Sequence, residues 1–258
     1  MVDKSKKKLS AVSMYHYWRL FYRSLLFVSA LVVYIVTKIR HKGELLQFFE
    51  SIPFVINIIW FVFVFEMLLR FFPSGIESPG SQKQFAKNYI KSGHTEITVH
   101  DNNATMLVAI VWISFNALFG WLYMLGIFDQ GIMILLCLAY SVCDMICILF
   151  FCPFQTWFLK NKCCCSCRIY NWDYAMMFTP LFFVKNLYAF SLFAIALLLM
   201  LRWEIIFYRH PERFSDKTNE YLRCSNCSEK LCVHKKQLEG LWKKIADYKE
   251  KKTSRLKK

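Results

Sequence analysis

The side chains with the clearest chemical potential are seven cysteines and one histidine in two short stretches outside the apolar middle of the chain. Each stretch contains a C-x-x-C pair. Two such pairs supply the four thiolates that a tetrahedral zinc site needs. The predicted metal ligands are therefore Cys164, Cys167, Cys224, Cys227, Cys232 and His234, with Cys163 and Cys165 as additional thiols.

The spacing of these residues leaves both the ligand set and the metal open. The C-terminal cluster alone offers a Cys₃His set, and four thiolates can equally hold an iron–sulfur cluster. We favour zinc, in a structural role, with an iron–sulfur cluster as the alternative. A disulfide is disfavoured if the clusters lie in the cytoplasm, where thiols stay reduced. The adjacent cysteines beside Lys160 and Lys162 are also candidates for palmitoylation.

Three ionisable residues inside apolar runs form a second group of candidates. Glu66 precedes Arg70 by four positions, which is the favoured order for an ion pair along one helix. Asp144 stands near the centre of its run, where a charge costs ~2.5–3.5 kcal/mol, and it has no basic neighbour in sequence. We expect it to hydrogen-bond a side chain such as Asn57 or Asn116, or to serve as a proton or cation site.

Four further cysteines lie in the same apolar run as Asp144 or at its end: Cys137, Cys143, Cys147 and Cys152. A buried cysteine behaves as a small hydrophobic residue. We expect these four to be packing residues.

The elements that must position these groups are set by an unusually apolar composition. Of 258 residues, 56% are hydrophobic and only 20% are charged, against ~45–50% and ~25% in a typical soluble domain. These values exclude an ordinary soluble protein, a disordered chain and a coiled coil. Because backbone groups in lipid must be satisfied within the segment, apolar runs of this kind predict membrane-spanning helices.

Four apolar runs are long enough to span a bilayer: Leu20–Thr37, Ile52–Leu69, Thr105–Phe128 and Gly131–Phe151. Arg23, one turn inside the first run, is expected to extend its side chain to the interface. The predicted fold is all-α: a polytopic helical membrane protein with about five or six apolar segments and a small cytoplasmic Cys/His-rich metal module.

The last apolar stretch, Tyr174–Tyr208, is ambiguous. Its 35 residues fall between the roughly 20 that one passage needs and the roughly 40 that two need. It is either one span preceded by an interfacial or re-entrant piece, or a cramped pair of passages. The distribution of Lys and Arg favours an even number of crossings with both termini in the cytoplasm, which would place the two cysteine clusters on one side. Lys38, Arg40 and Lys42 fall on the wrong side of this assignment.

The chain thus divides into three parts: a basic cytoplasmic N-terminus (1–19), a transmembrane bundle (20–208) and a basic tail (209–258). The bundle includes a polar 70–104 loop and a Cys-rich 159–173 loop. The net charge of +15 suits a bilayer with anionic headgroups. A basic amphipathic helix in 235–258 would lie on that surface or dock on an acidic protein partner. Nucleic acid is not expected as a partner, because it would not explain the apolar middle.

No phosphate-binding loop, G-x-G-x-x-G, H-E-x-x-H or nucleophile elbow occurs in the sequence, and whether the chain is an enzyme stays open. The leading hypothesis is an integral membrane scaffold, accessory subunit or small transporter whose cysteine clusters bind a structural metal. One alternative is a membrane-bound redox protein that uses an iron–sulfur cluster or reactive thiols. The other is a proton- or cation-coupled transporter that uses Asp144.

Overall fold

The computed structural model describes residues 11–40, 51–73, 79–98, 102–159 and 167–223. Over these ranges the protein is helical and contains no β-strand, with one isolated antiparallel bridge between Lys91 and Asn219. The α-helices of the described ranges are α1 (Ala11–Ile39), α2 (Pro53–Phe71), α3 (Pro79–Gln84), α4 (Asn102–Met124), α5 (Gln130–Leu149), α6 (Asp173–Phe178) and α7 (Leu187–Arg209).

Five of these helices, α1, α2, α4, α5 and α7, are long and apolar enough to cross a membrane. Their outward faces carry large apolar side chains, such as Phe54, Ile113 and Leu187, as a lipid-facing surface requires. The prediction of an all-α, multi-pass membrane protein is confirmed at this level. Helix α1 begins at Ala11, well before the predicted Leu20, so its first turns contain polar residues.

Local sequence accounts for where the spanning helices begin. Asp129 caps α5, because its carboxylate accepts a hydrogen bond from the backbone N–H of Ile132 at 2.8 Å. Asn186 caps α7 in the same way through the N–H of Tyr188. The turn between α4 and α5 contains Gly126 at φ 74°, a left-handed conformation that favours glycine.

Between α5 and α7 the chain makes a short, irregular passage through the bundle. It consists of a 3₁₀ helix (Arg168–Trp172), α6 and a second 3₁₀ helix (Thr179–Phe183). Its start lies beside the C-terminal end of α2, where Arg70 contacts Asp173 at 2.6 Å. Its end lies beside the first residue of α5, where the N–H of Lys185 donates to Gln130 at 3.1 Å.

Within the bundle, the stretch Tyr174–Tyr208 thus runs from one end to the other and back, with the irregular segment first and α7, the candidate membrane span, second. Irregular backbone is tolerated at this depth because protein covers it: Tyr174, Phe178 and Leu181 are buried. The irregular passage packs closely against α4 because residue 120 is a glycine. A Cβ at this position would overlap the ring of Phe183. Within the described ranges the chain thus passes between the two ends of the bundle an even number of times.

We call the two ends of the bundle the cluster end and the turn end. The turn end holds the α4–α5 turn and Lys185. The cluster end holds the start of α1, residues 79–98, Cys167 and residues 210–223. At this end, the 79–98 segment packs against the residues that follow α7. The side chain of Asn219 donates to the carbonyl oxygen of Lys83 at 3.0 Å. The N–H of Glu220 donates to the carbonyl oxygen of Ile90 at 2.9 Å.

Candidate functional site

Arginines are buried inside the bundle near the cluster end. The side chains of Arg19, Arg23 and Arg70 are each 0% exposed. Arg23 donates to Glu66 on α2 at 2.7 Å and to Asp144 on α5 at 3.2 Å. The prediction that Arg23 extends to the interface is wrong, because α1 starts at Ala11 and the residue lies several turns inside the helix, facing two carboxylates.

Glu66 is the centre of this arrangement. Its carboxylate accepts hydrogen bonds from Arg19 at 2.9 Å, from Arg23 at 2.7 Å and from Tyr174 at 3.1 Å. The hydroxyl of Tyr22 donates to its other oxygen. Two cations and two hydroxyls therefore compensate one buried carboxylate, which removes most of the penalty for taking it out of water.

Arg70 takes its partner from the irregular passage. It donates to Asp173 at 2.6 Å and to the carbonyl oxygen of Tyr170 at 3.3 Å. Its guanidinium lies 4.8 Å from the ring centroid of Tyr174, a cation–π contact. The predicted Glu66–Arg70 pair along one helix is thus replaced by partners from other elements, since both residues lie on a face that packs against α1 and residues 167–177.

The prediction for Asp144 is also corrected in part. Its charged partner is Arg23, a residue 121 positions away in sequence, rather than an asparagine such as Asn57 or Asn116. We call Arg19, Arg23, Arg70, Glu66, Asp144 and Asp173 the ion network. Its three cations balance its three carboxylates, so the network is neutral as a whole.

A cavity of about 120 Å³ borders the ion network. We call it the inner cavity; it lies between α4, α5 and residues 167–177. Asp144 and Asp173 form its acidic wall, and the rings of Trp112 and Tyr140 meet on its wall with centroids 4.7 Å apart. Oδ2 of Asp173 is buried and has no hydrogen-bond partner in the part of the chain that the structure describes.

The cysteines of the spanning region divide between the core and the inner cavity. Cys137 is buried in the main hydrophobic core, as expected for a packing residue. Cys143, Cys147 and Cys152 instead line the inner cavity, together with Cys167. The sequence gives no indication of this division, because the cavity is formed by elements distant in the chain.

The predicted metal module falls largely outside the described residues. This applies to Cys163, Cys164, Cys165, Cys224, Cys227, Cys232 and His234. Cys167 is described, and it is 4% exposed beside Val108, Leu159 and Ile169. Among the described residues, no three His, Cys, Asp or Glu side chains converge on a metal position.

Sequence reasoning missed Arg19, Tyr22, Tyr174 and Asp173 as members of the site. The available signal was the pair Arg19 and Arg23, four positions apart at the start of an apolar run. Two such arginines on one helical face require buried carboxylates or an aqueous surface. No family model, curated protein or solved structure matches the chain.

Proposed function

We propose that the chain is a multi-pass membrane transporter that binds a cation in the inner cavity and couples its movement to the charge state of Asp144. The observation that carries this proposal is the position of Asp144. It lines the cavity, its side chain is 14% exposed, and Arg23 connects it to the buried Glu66.

The charge distribution around the cavity supports a cationic ligand. Asp144 and Asp173 are among the residues that line the cavity, while their ion-pair partners Arg23 and Arg70 have no exposed surface. The remaining walls are largely aromatic and apolar, which strengthens electrostatic attraction at the site. Ionisable residues that face the interior of a membrane bundle commonly mark ion pathways and proton relays.

Arg23 has two carboxylate partners, so Asp144 can exchange Arg23 for another cation without leaving the charge of Arg23 unpaired in the membrane. It bridges Asp144 and Glu66, at 3.2 and 2.7 Å. When a cation or proton occupies Asp144, Arg23 retains Glu66 as its counter-ion. The cost of uncoupling Asp144 is therefore smaller than the cost of breaking an isolated buried pair.

The irregular passage supports movement through this part of the bundle. Broken helices at membrane depth form the substrate sites of many transporters, because their half-helix ends and free backbone groups can contact the substrate and the coupling ion. Asp173, which begins α6, belongs to both the ion network and this passage. Cation binding and displacement of the passage would thus act on the same residue.

The test is cation-dependent proton flux in proteoliposomes that contain a pH-sensitive dye. We expect wild-type protein to move protons when a cation gradient is imposed, and Asp144→Asn to abolish this flux. Asp129→Asn is the matched control, since it makes the same chemical change just before α5, at the turn end, and should retain the flux. Equal flux in wild type and Asp144→Asn would refute the proposal.

A second proposed role is structural and concerns the cysteine clusters. Cys167 and Arg223, which border the two clusters, both lie at the cluster end, and this supports a shared structural zinc site there. Replacing Cys224 and Cys227 with alanine should lower zinc content and folded yield together. Iron with sulfide in the purified protein would favour an electron-transfer role instead, and protein without metal would contradict both assignments.

A further inference from the structure

Sulfur-containing residues from several elements line the inner cavity. They are four cysteines and two methionines: Cys143, Cys147, Cys152, Cys167, Met176 and Met177. They come from α5, from the chain just after it, from the residue that precedes the first 3₁₀ helix, and from α6. Because these elements are distant in the sequence, this lining is a property of the folded bundle.

Two of these thiols are in contact. The side chains of Cys147 and Cys152 form a hydrogen bond, because α5 ends at Leu149 and the chain turns back over its last turn. The N–H of Gln155 also donates to the sulfur of Cys152, at 3.4 Å. The short π-helix Phe154–Phe158 follows directly, and such segments often occur at functional sites.

The composition of this wall selects among metals. It contains no histidine, and two of its six sulfur atoms are thioethers, which zinc rarely uses. Zinc also requires four ligands in a structural site, and the described residues offer no such group. Cu(I) is a soft ion that favours thiolate and thioether ligands and binds stably with a low coordination number.

We infer that the inner cavity binds Cu(I) through the sulfur atoms of Cys147 and Cys152, with Met176 and Met177 as nearby thioether donors. The inference identifies Cu(I) as the cation of the proposed function. That Cu(I) is also the transported ion rests on that proposed function. Binding forms two Cu–S bonds, breaks the two S–H bonds and releases both thiol protons to the solvent, so the bound unit carries one negative charge.

The experiment is an anaerobic Cu(I) titration of detergent-purified full-length protein against the chromogenic chelator bicinchoninate. The cysteine clusters stay intact in every sample, so that the proposed zinc site is not disturbed, and the cavity site is measured as the difference between wild type and each variant. We expect wild type to hold one tightly bound Cu(I) per chain more than the Cys147→Ser/Cys152→Ser variant. In that variant, Cu(I) binding at the cavity should weaken by more than about 100-fold, since it lacks the ligands themselves.

Cys137→Ser is the matched control, because Cys137 lies on the same helix but in the main hydrophobic core. The affinity of this variant for Cu(I) should equal that of wild type. Gel filtration and thermal unfolding establish whether each variant is folded. If the Cys147→Ser/Cys152→Ser variant is not folded, a Met176→Leu/Met177→Leu variant replaces it, and this variant should weaken Cu(I) binding by a smaller factor. Undiminished binding in Cys147→Ser/Cys152→Ser, tighter binding of zinc than of Cu(I), or a stable Cys147–Cys152 disulfide in the purified chain would overturn the inference.

The two experiments distinguish a failure of the copper site from a failure of the transport proposal. If Cu(I) binds as expected but Asp144→Asn leaves the proton flux unchanged, the cavity is a copper site and the transport proposal is wrong. If the flux depends on Asp144 while Cu(I) does not bind, transport stands and the cation belongs to another class.

Discussion

A single buried carboxylate, Glu66, organises the candidate site at the level of residues. It receives guanidinium groups from Arg19 and Arg23 and hydroxyl groups from Tyr22 and Tyr174. Removing one partner of a buried pair leaves an uncompensated charge, whereas the complete set is tolerated. Glu66 therefore stabilises the bundle only because its partners are present.

Glu66→Gln should lower the free energy of unfolding by about 3–5 kcal/mol, because Arg19 would lose its carboxylate partner in a buried position. Thermal unfolding in detergent measures the loss. Glu96→Gln is the matched control, since Glu96 pairs with Lys217 at 3.0 Å on the surface and such pairs contribute little. Equal melting temperatures for the two variants would contradict this role for Glu66.

The sequence identified Glu66, Arg70 and Asp144 as unusual, because a charge inside an apolar run is visible without a structure. It did not identify their partners. The local rule pairs Glu66 with a residue four positions away, but the bond with Arg23 spans 43 positions. Partner choice is a tertiary property, so it depends on how α1 packs against α2 and α5.

At the level of elements, hydropathy located the spanning helices but misplaced the start of α1. The polar residues before Leu20 lower the mean hydropathy, so the run appeared to begin late. They are accommodated because their side chains are paired: His16 bonds the carbonyl oxygen of Val12, and Arg19 bonds Glu66. The length of Tyr174–Tyr208 could not distinguish one passage from two, because 3₁₀ helices rise further per residue than α-helices.

The turn end is held by Asp129, which caps α5 and pairs with Lys38 of α1 at 2.6 Å. This pair also explains why a lysine is tolerated on the side that charge counting disfavours. Partial burial alone would raise the pKa of Asp129. Hydrogen bonds from Lys38, from the N–H of Ile132 and from Tyr34, together with the charge of Lys38, outweigh burial and hold the pKa below its ordinary value.

The stabilisation from Asp129 should therefore be pH-dependent. An acid whose pKa is lowered by folding stabilises the protein above its unfolded value, about 3.9, and this contribution disappears as the pH falls through the lower folded value. Melting temperatures of wild type and Asp129→Asn measure it, because asparagine keeps the helix cap. The difference should be constant near neutral pH and shrink in acid. A difference that grows in acid would contradict this pairing.

At the level of the whole molecule, the even number of passages places the start of α1 and residues 210–223 at one end. Epitope tags at the two termini should therefore be accessible from the same side of intact cells or oriented vesicles. The Lys and Arg distribution predicts that this side is the cytoplasm. Tags accessible from opposite sides would contradict the pair of passages through Tyr174–Tyr208.

The fold also brings the acidic wall and the sulfur atoms together in one cavity inside the bundle. Asp144 and Cys147 lie one turn apart on α5, and both face this cavity. Cys143, on the same wall, is exposed at the surface of the described bundle. For transport, water and ions must reach this cavity, whereas a structural ion network would need no such access.

The most direct test is thiol accessibility in proteoliposomes that carry the chain with its cysteine clusters intact, with the label on each cysteine-containing peptide measured by mass spectrometry. We expect a charged, membrane-impermeant maleimide to label Cys147, while Cys137 stays unlabelled. An uncharged, permeant maleimide provides the comparison for both residues. Labelling of Cys147 only by the permeant reagent would show that the cavity faces lipid rather than water, and would contradict its role as an ion site.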